Sequence, residues 1–207
     1  QRAKRIAITG AGSGLGRAIA LRYARAGWHV AVTDLQTTRA QSVADEIEQA
    51  GGTALVQTLD TRREADFEQL VSRLQTEWGG VDVFVNNAGV ASAGTTAETS
   101  LEDWQWLLDI NLMGVVRGTR AVIPLLRESR GHLINIASFA AIASAPGMAS
   151  YNVAKAGVLS LSETVRGEEY RFGVGVTVAC PAFFATNLMD NFRGAEPQQK
   201  DMVQKLM

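Results

Sequence analysis

Six short runs rich in β-branched residues, at 5–9, 29–34, 54–59, 81–86, 132–137 and 174–179, alternate with longer amphipathic stretches. Those stretches fall at 15–26, 38–50, 64–78, 101–127 and 151–171. Strands spaced this way must run parallel, because each return crosses the sheet through a helix rather than a hairpin. Several of the runs are almost wholly apolar, as strands covered on both faces are. The fold class this predicts is α/β: a doubly wound parallel sheet in three layers, α/β/α. In such sheets ligands bind beyond the carboxyl ends of the strands, so residues directly after each strand are read for chemistry.

The 207 residues suit one domain, taken as 1–207, with no internal repeat or linker. Apolar residues make up 46% and charged residues 20%, enough to bury a core. A net charge of −1 gives no positive field for nucleic acid or an anionic membrane, and neither is expected as a partner. The longest uncharged stretch, 131–154, carries His132, Asn135, Ser138, Asn152 and Pro146, which a membrane span would not tolerate. The single Cys180 excludes an intrachain disulfide, and His29 and His132 lack partners at ligand spacing, so no metal is expected. A reducing, cytoplasmic setting is expected. The chain opens on Gln1, so it is expected to begin inside its gene product.

The first run leads directly into Thr9-Gly10-Ala11-Gly12-Ser13-Gly14-Leu15-Gly16 and then a helix. Almost bare of side chains, this turn lets backbone N–H groups and a helix N-terminus approach a pyrophosphate. Gly10, Ser13, Gly14, Leu15 and Gly16 are therefore candidate cofactor-binding residues. Their glycines read G-x-x-x-G-x-G; the common G-x-G-x-x-G cannot be placed on the turn. The second run ends at Asp34, 18 residues beyond Gly16, where an acidic side chain would take both hydroxyls of an adenosine ribose. A 2′-phosphate there would meet like charge, and Ser13 supplies no compensating cation, so NAD is favoured over NADP. Asp60, with Thr61 beside it, follows the third run and either accepts from an adenine amino group or caps the helix at 64–78.

Tyr151 and Lys155 stand four apart at a helix start and share a face. An ammonium beside a phenol favours the phenolate and is expected to lower its pKa, making a usable acid or base. Ser138, directly after the fifth run, offers a hydroxyl to a substrate oxygen. Asn111 lies within the long stretch 101–127, where an amide side chain is a weak helix former that usually points to solvent or bonds backbone.

Taken in order, T-G-x-x-x-G-x-G at Thr9 to Gly16, N-N-A-G at Asn86 to Gly89, Asn111, Ser138, and Y-x-x-x-K at Tyr151 to Lys155 resemble the short-chain dehydrogenases/reductases, in the subgroup with single Rossmann-fold subunits. The resemblance extends over nearly the whole chain. It implies that Tyr151 is the general acid/base, that Ser138 orients the carbonyl or alcohol, and that Lys155 tunes the tyrosine and bonds the nicotinamide ribose. It implies a proton-relay water at Asn111. It places Asn87, Ala88 and Gly89 beside the adenosine ribose, and Phe184 and Thr186 at the nicotinamide carboxamide and phosphate. Two departures from the family pattern stand out. Ala182 replaces the glycine usual after Pro181, and a further helix and a seventh strand would follow Met207, so 187–207 reads as the start of a substrate lid.

The reaction so implied is hydride transfer between NAD and a secondary alcohol or ketone, without metal. Phe139, Ala140, Ala141, Ile142, Pro146 and Met148, with Phe183, Phe184, Leu188 and Met189, either form an apolar substrate wall or pack the domain. Homo-oligomerisation, as a dimer or tetramer through exposed helix stripes, is a further expectation. The competing readings are a non-catalytic nucleotide sensor or scaffold on the same fold, and a methyltransferase-like enzyme on a comparable sheet.

Overall fold

The computed structural model describes residues 2–182, so the expectations at Phe184 and Thr186, and on the lid at 187–207, lie outside the described residues. Within them the chain forms β1 (Arg5–Thr9), α1 (Gly14–Arg25), β2 (His29–Asp34), α2 (Thr37–Gln49), β3 (Thr53–Thr58), α3 (Glu64–Trp78) and β4 (Val83–Asn86). There follow α4 (Leu101–Leu108), α5 (Gly114–Ser129), β5 (His132–Ile136), α6 (Ala149–Glu169) and β6 (Gly175–Ala179). All six strands are parallel, in the order β3-β2-β1-β4-β5-β6. The direction of winding reverses between β1 and β4, whose carboxyl ends therefore open the crevice in which such sheets bind ligands.

Each face of the sheet carries its own core. On one, Ala20 of α1 and Ala40, Val43 and Ile47 of α2 pack against Ile6, Ile8, Val30 and Val32. On the other, Phe67, Leu70 and Leu74 of α3 and Val122, Leu125 and Leu126 of α5 pack against Ala7, Ala31, Phe84 and Leu133. Phe67, Leu70 and Leu74 recur at helical spacing and are fully buried, each contributing about 1.5–3 kcal/mol relative to exposure.

Most boundaries fall within one or two residues of the sequence expectation. The stretch 101–127 does not: instead of one helix it is α4, a π-turn over Asp109–Met113, and α5. Ser100 caps α4, its hydroxyl accepting from the Asp103 N–H at 3.1 Å. The sixth helix begins two residues earlier than expected and gives way to a 3₁₀ turn at Tyr170–Phe172. No helix among the described residues is long and apolar enough to cross a membrane.

Candidate active site

Where β1 meets α1, Gly10 takes φ +63° and Gly14 φ +50°, conformations that favour glycine. A Cβ on Gly16 would lie 2.3 Å from the Gly10 carbonyl oxygen and 2.5 Å from the Asn87 amide nitrogen; one on Gly10 would lie 2.9 Å from Ala88 Cα. The turn thus brings backbone against backbone. Ser13 occupies the N-cap of α1 without a side-chain capping bond, and the first turn, which includes Leu15, holds no acidic residue. A glycine cradle at a helix N-terminus with no carboxylate of its own fits a dinucleotide pyrophosphate.

Thr9 ties this turn to the end of β4. Its hydroxyl accepts from the N–H groups of Asn87 and Ala88, each at 3.0 Å. The Asn87 amide donates to the carbonyls of Thr9 and Gly10, at 2.8 and 3.1 Å. Both N–H bonds of the Asn87 side chain are thus spent on backbone, and Asn87 shapes the crevice through Thr9 and Gly10. Asp34 ends β2 as expected. Its carboxylate accepts from the N–H of Gly12 at 3.0 Å and of Gln36 at 2.9 Å, which fixes it at the crevice rim. Gly12 makes this closure possible, since a Cβ there would lie 2.8 Å from Asp34 Oδ2.

Asp60 does not cap α3, and its carboxylate is paired with a neighbouring cation. Arg62 occupies it through its backbone N–H at 3.0 Å and its guanidinium at 2.6 Å, and those bonds hold the carboxyl below the usual range. Arg63, not Asp60, is the N-cap residue of α3. Thr61, mostly buried, sits against the start of α5, where a Cβ on Gly114 would come within 2.9 Å of Thr61 Cβ.

The remaining candidates converge beyond β5. Tyr151 and Lys155, on one face of α6, are 7% and 4% exposed, so both polar heads are withdrawn from bulk water. The Lys155 ammonium donates to the Ile136 carbonyl at 2.9 Å and lies 5.7 Å from the Tyr151 ring centroid. Gly89 faces it: a Cβ there would be 3.7 Å from Lys155 Nζ and 3.3 Å from Asn111 Oδ1. Ser138 heads a short 3₁₀ turn, its hydroxyl accepting from the Ala140 N–H at 3.2 Å, and it interacts with the Tyr151 phenol. Asn111 is fully buried in the π-turn. Its amide pairs with Val90 in both directions, the Val90 N–H donating to Oδ1 and Nδ2 donating to the Val90 carbonyl, each at 2.8 Å.

The titration behaviour reverses one expectation. Burial pushes the Tyr151 phenol above its ordinary value, against a smaller opposing pull from the Ser138 hydroxyl. Burial also pushes Lys155 down to about 8. Desolvation therefore outweighs whatever lowering the Lys155 cation, held against the Ile136 carbonyl, exerts on the phenol. At neutral pH the phenol keeps its proton.

Sequence reasoning passed over Thr9 and Gly12 as ligand-shaping residues, and also a set of clamps behind Tyr151. Ser92 and Ser150 share a buried hydrogen bond of 2.8 Å, the Gly94 N–H donates to the Gly147 carbonyl at 2.8 Å, and Asn152 donates to the Ala145 carbonyl at 2.8 Å. Their partners lie up to 58 residues apart, so no local pattern signals them. Of the apolar residues expected to form a wall, Phe139 and Ile142 are exposed whereas Ala140 and Met148 are buried in the core.

A six-stranded Rossmann sheet with a glycine turn at its switch point and a Ser-Tyr-Lys cluster opposite defines a class of nucleotide-dependent oxidoreductases. Comparison with known proteins agrees. The family profile described as short chain dehydrogenase matches residues 4–197. A 3-oxoacyl-[acyl-carrier-protein] reductase of Synechocystis sp. is 38% identical over 192 residues, covering 92% of this chain and 77% of its own. A probable oxidoreductase, EphD, of Mycobacterium bovis is 37% identical over 186 residues, 89% of this chain but only 31% of that longer protein. The crystal structure of a short chain dehydrogenase/reductase from Burkholderia phymatum in complex with NAD superimposes with a TM-score of 0.92 at 31% identity, covering 99% of this chain and 79% of that one. The chain belongs to the short-chain dehydrogenase family.

Proposed function

We propose that the protein reduces a ketone to a secondary alcohol, and runs the reverse reaction, with NAD(H) as the hydride carrier. The observation that carries this reading is the buried Tyr151 phenol, proton-bearing at neutral pH, between the Ser138 hydroxyl and the Lys155 ammonium. A bound nicotinamide supplies the hydride, and this chain supplies the proton. Ser138 holds the substrate oxygen, and the Tyr151 hydroxyl donates to that oxygen as negative charge develops on it. Lys155 has three donors, of which Ile136 takes one; the others serve the ribose hydroxyls, and its charge stabilises the phenolate left behind. Asn111, held by Val90, anchors the water that returns the proton. Phe139 and Ile142 favour an apolar group on the substrate, in keeping with a relative named for a 3-oxoacyl substrate.

Asp34 supports NAD over NADP, since its carboxylate repels a 2′-phosphate at the position where it would accept ribose hydroxyls. The test is a panel of secondary alcohols and ketones run with both cofactors. Turnover with NAD exceeding that with NADP is expected, and Asp34→Ser narrows the gap, by about tenfold if the loss of one like charge is worth roughly 1.4 kcal/mol. Tighter binding of NADP by the unaltered protein would overturn the cofactor assignment.

A further inference from the structure

Arg117 closes the π-turn that presents Asn111. One turn into α5, its Nη1 donates to the carbonyls of Asp109 and Thr61, each at 3.2 Å, and its Nη2 donates to Asp109 Oδ1 at 2.6 Å. The same Asp109 carbonyl accepts the Gly114 N–H, the i→i+5 bond that makes the turn a π-turn. Both side chains are largely enclosed, at 20% and 29% exposure, so this ion pair is screened less than a surface one.

A π-turn holds one residue more than an α-helix of the same rise, and relaxing it to α geometry rotates one flank against the other by about 100°. That rotation would carry the Asn111 amide off Val90. What opposes it is a bridge from the head of the turn to residue 117, with a third anchor on the loop after β3.

We propose that Arg117 is a positioning residue: by binding Asp109 and Thr61 together it keeps the π-turn open and holds Asn111 against Val90, next to Gly89 and Lys155. The functional half of this inference rests on the proposed hydride-transfer reading; the structural half does not. Two readouts separate them. Amide exchange at Val90, whose N–H is bonded by Asn111, should quicken at least about tenfold in Arg117→Met, a loss of one buried hydrogen bond's protection. The Arg117→Lys variant, with a cation that cannot bridge three acceptors in a fixed fork, should show a smaller change of the same sign.

In turnover, Arg117→Met should lower kcat about tenfold in the natural chain and have no further effect in an Asn111→Ser background. Unchanged Val90 exchange in the folded Met or Lys variant overturns the proposal, as does an equal kcat loss in both backgrounds. If no substrate is turned over by any variant, the functional reading fails while Val90 exchange still decides whether Arg117 holds the turn.

Discussion

Replacing Tyr151 by Phe is expected to abolish turnover, by about 10²–10⁴-fold, while NADH still binds. The substitution removes one oxygen from a ring that stays packed among Val90, Leu107, Met148 and Ala154, so the fold and the glycine turn on the far side of the crevice are untouched. What is lost is the proton that meets the developing alkoxide; Ser138 is a far weaker acid, and the Lys155 ammonium is held by the Ile136 carbonyl, 5.7 Å from the ring centroid. Steady-state rates and NADH fluorescence on the same preparation make the measurement. A non-catalytic sensor would keep its output in this variant, and unimpaired turnover would remove the phenol from the mechanism.

Lys155→Met is expected to make the protein more stable and nearly inactive at once. Burial sets the folded pKa at about 8 against 10.5 for the free side chain, so the folded state binds fewer protons than the unfolded one between those values. Stability therefore rises with pH across that window, and below it the buried charge costs the fold about 3 kcal/mol. Losing the bond to the Ile136 carbonyl offsets about 1 kcal/mol. The net gain near pH 7 is about 2 kcal/mol, or roughly 4–8 °C in Tm for a chain of this size. The Tyr151 phenol, raised by burial, weakens the fold only above its ordinary value of 10, leaving pH 8 to 10 to report on Lys155. In that interval the natural protein should gain stability and the variant should not. A variant less stable at pH 7, or one with the same pH slope, would show that the ammonium is not buried at a cost. Such a cost is the mark of a group retained for function, which on the proposed reading is to hold a ribose and a phenolate.

The strands, the glycine turn and the Ser138, Tyr151 and Lys155 cluster were legible because each leaves a local signature: β-branched runs, glycines that only a close backbone approach requires, and an i, i+4 pair after a strand. The π-turn at Asp109–Met113 was not, since the apolar pattern of 101–127 continues through one inserted residue, and the Arg117–Asp109 pair that spans it reads in the sequence as an ordinary surface pair. The capping alternative for Asp60 fails because its carboxylate turns to Arg62, a near neighbour whose conformation the spacing does not encode. Asn87 lies 78 residues from the Thr9 carbonyl it binds, a contact only the closed sheet creates. The direction of the Tyr151 pKa depends on desolvation, which spacing does not encode; Lys155 was correctly placed beside the phenol, and its effect on it was outweighed by burial.

On the proposed reading, this crevice delivers a hydride to a carbonyl carbon while Tyr151 supplies the proton. Incubating the protein with NADH carrying deuterium at both C4 positions and each ketone of the panel, then locating the label by mass spectrometry, tests it most directly. One deuterium on the carbinol carbon of the product alcohol, absent with Tyr151→Phe, is the predicted result. NADH binding without labelled alcohol from any ketone, or product carrying no deuterium, would contradict it.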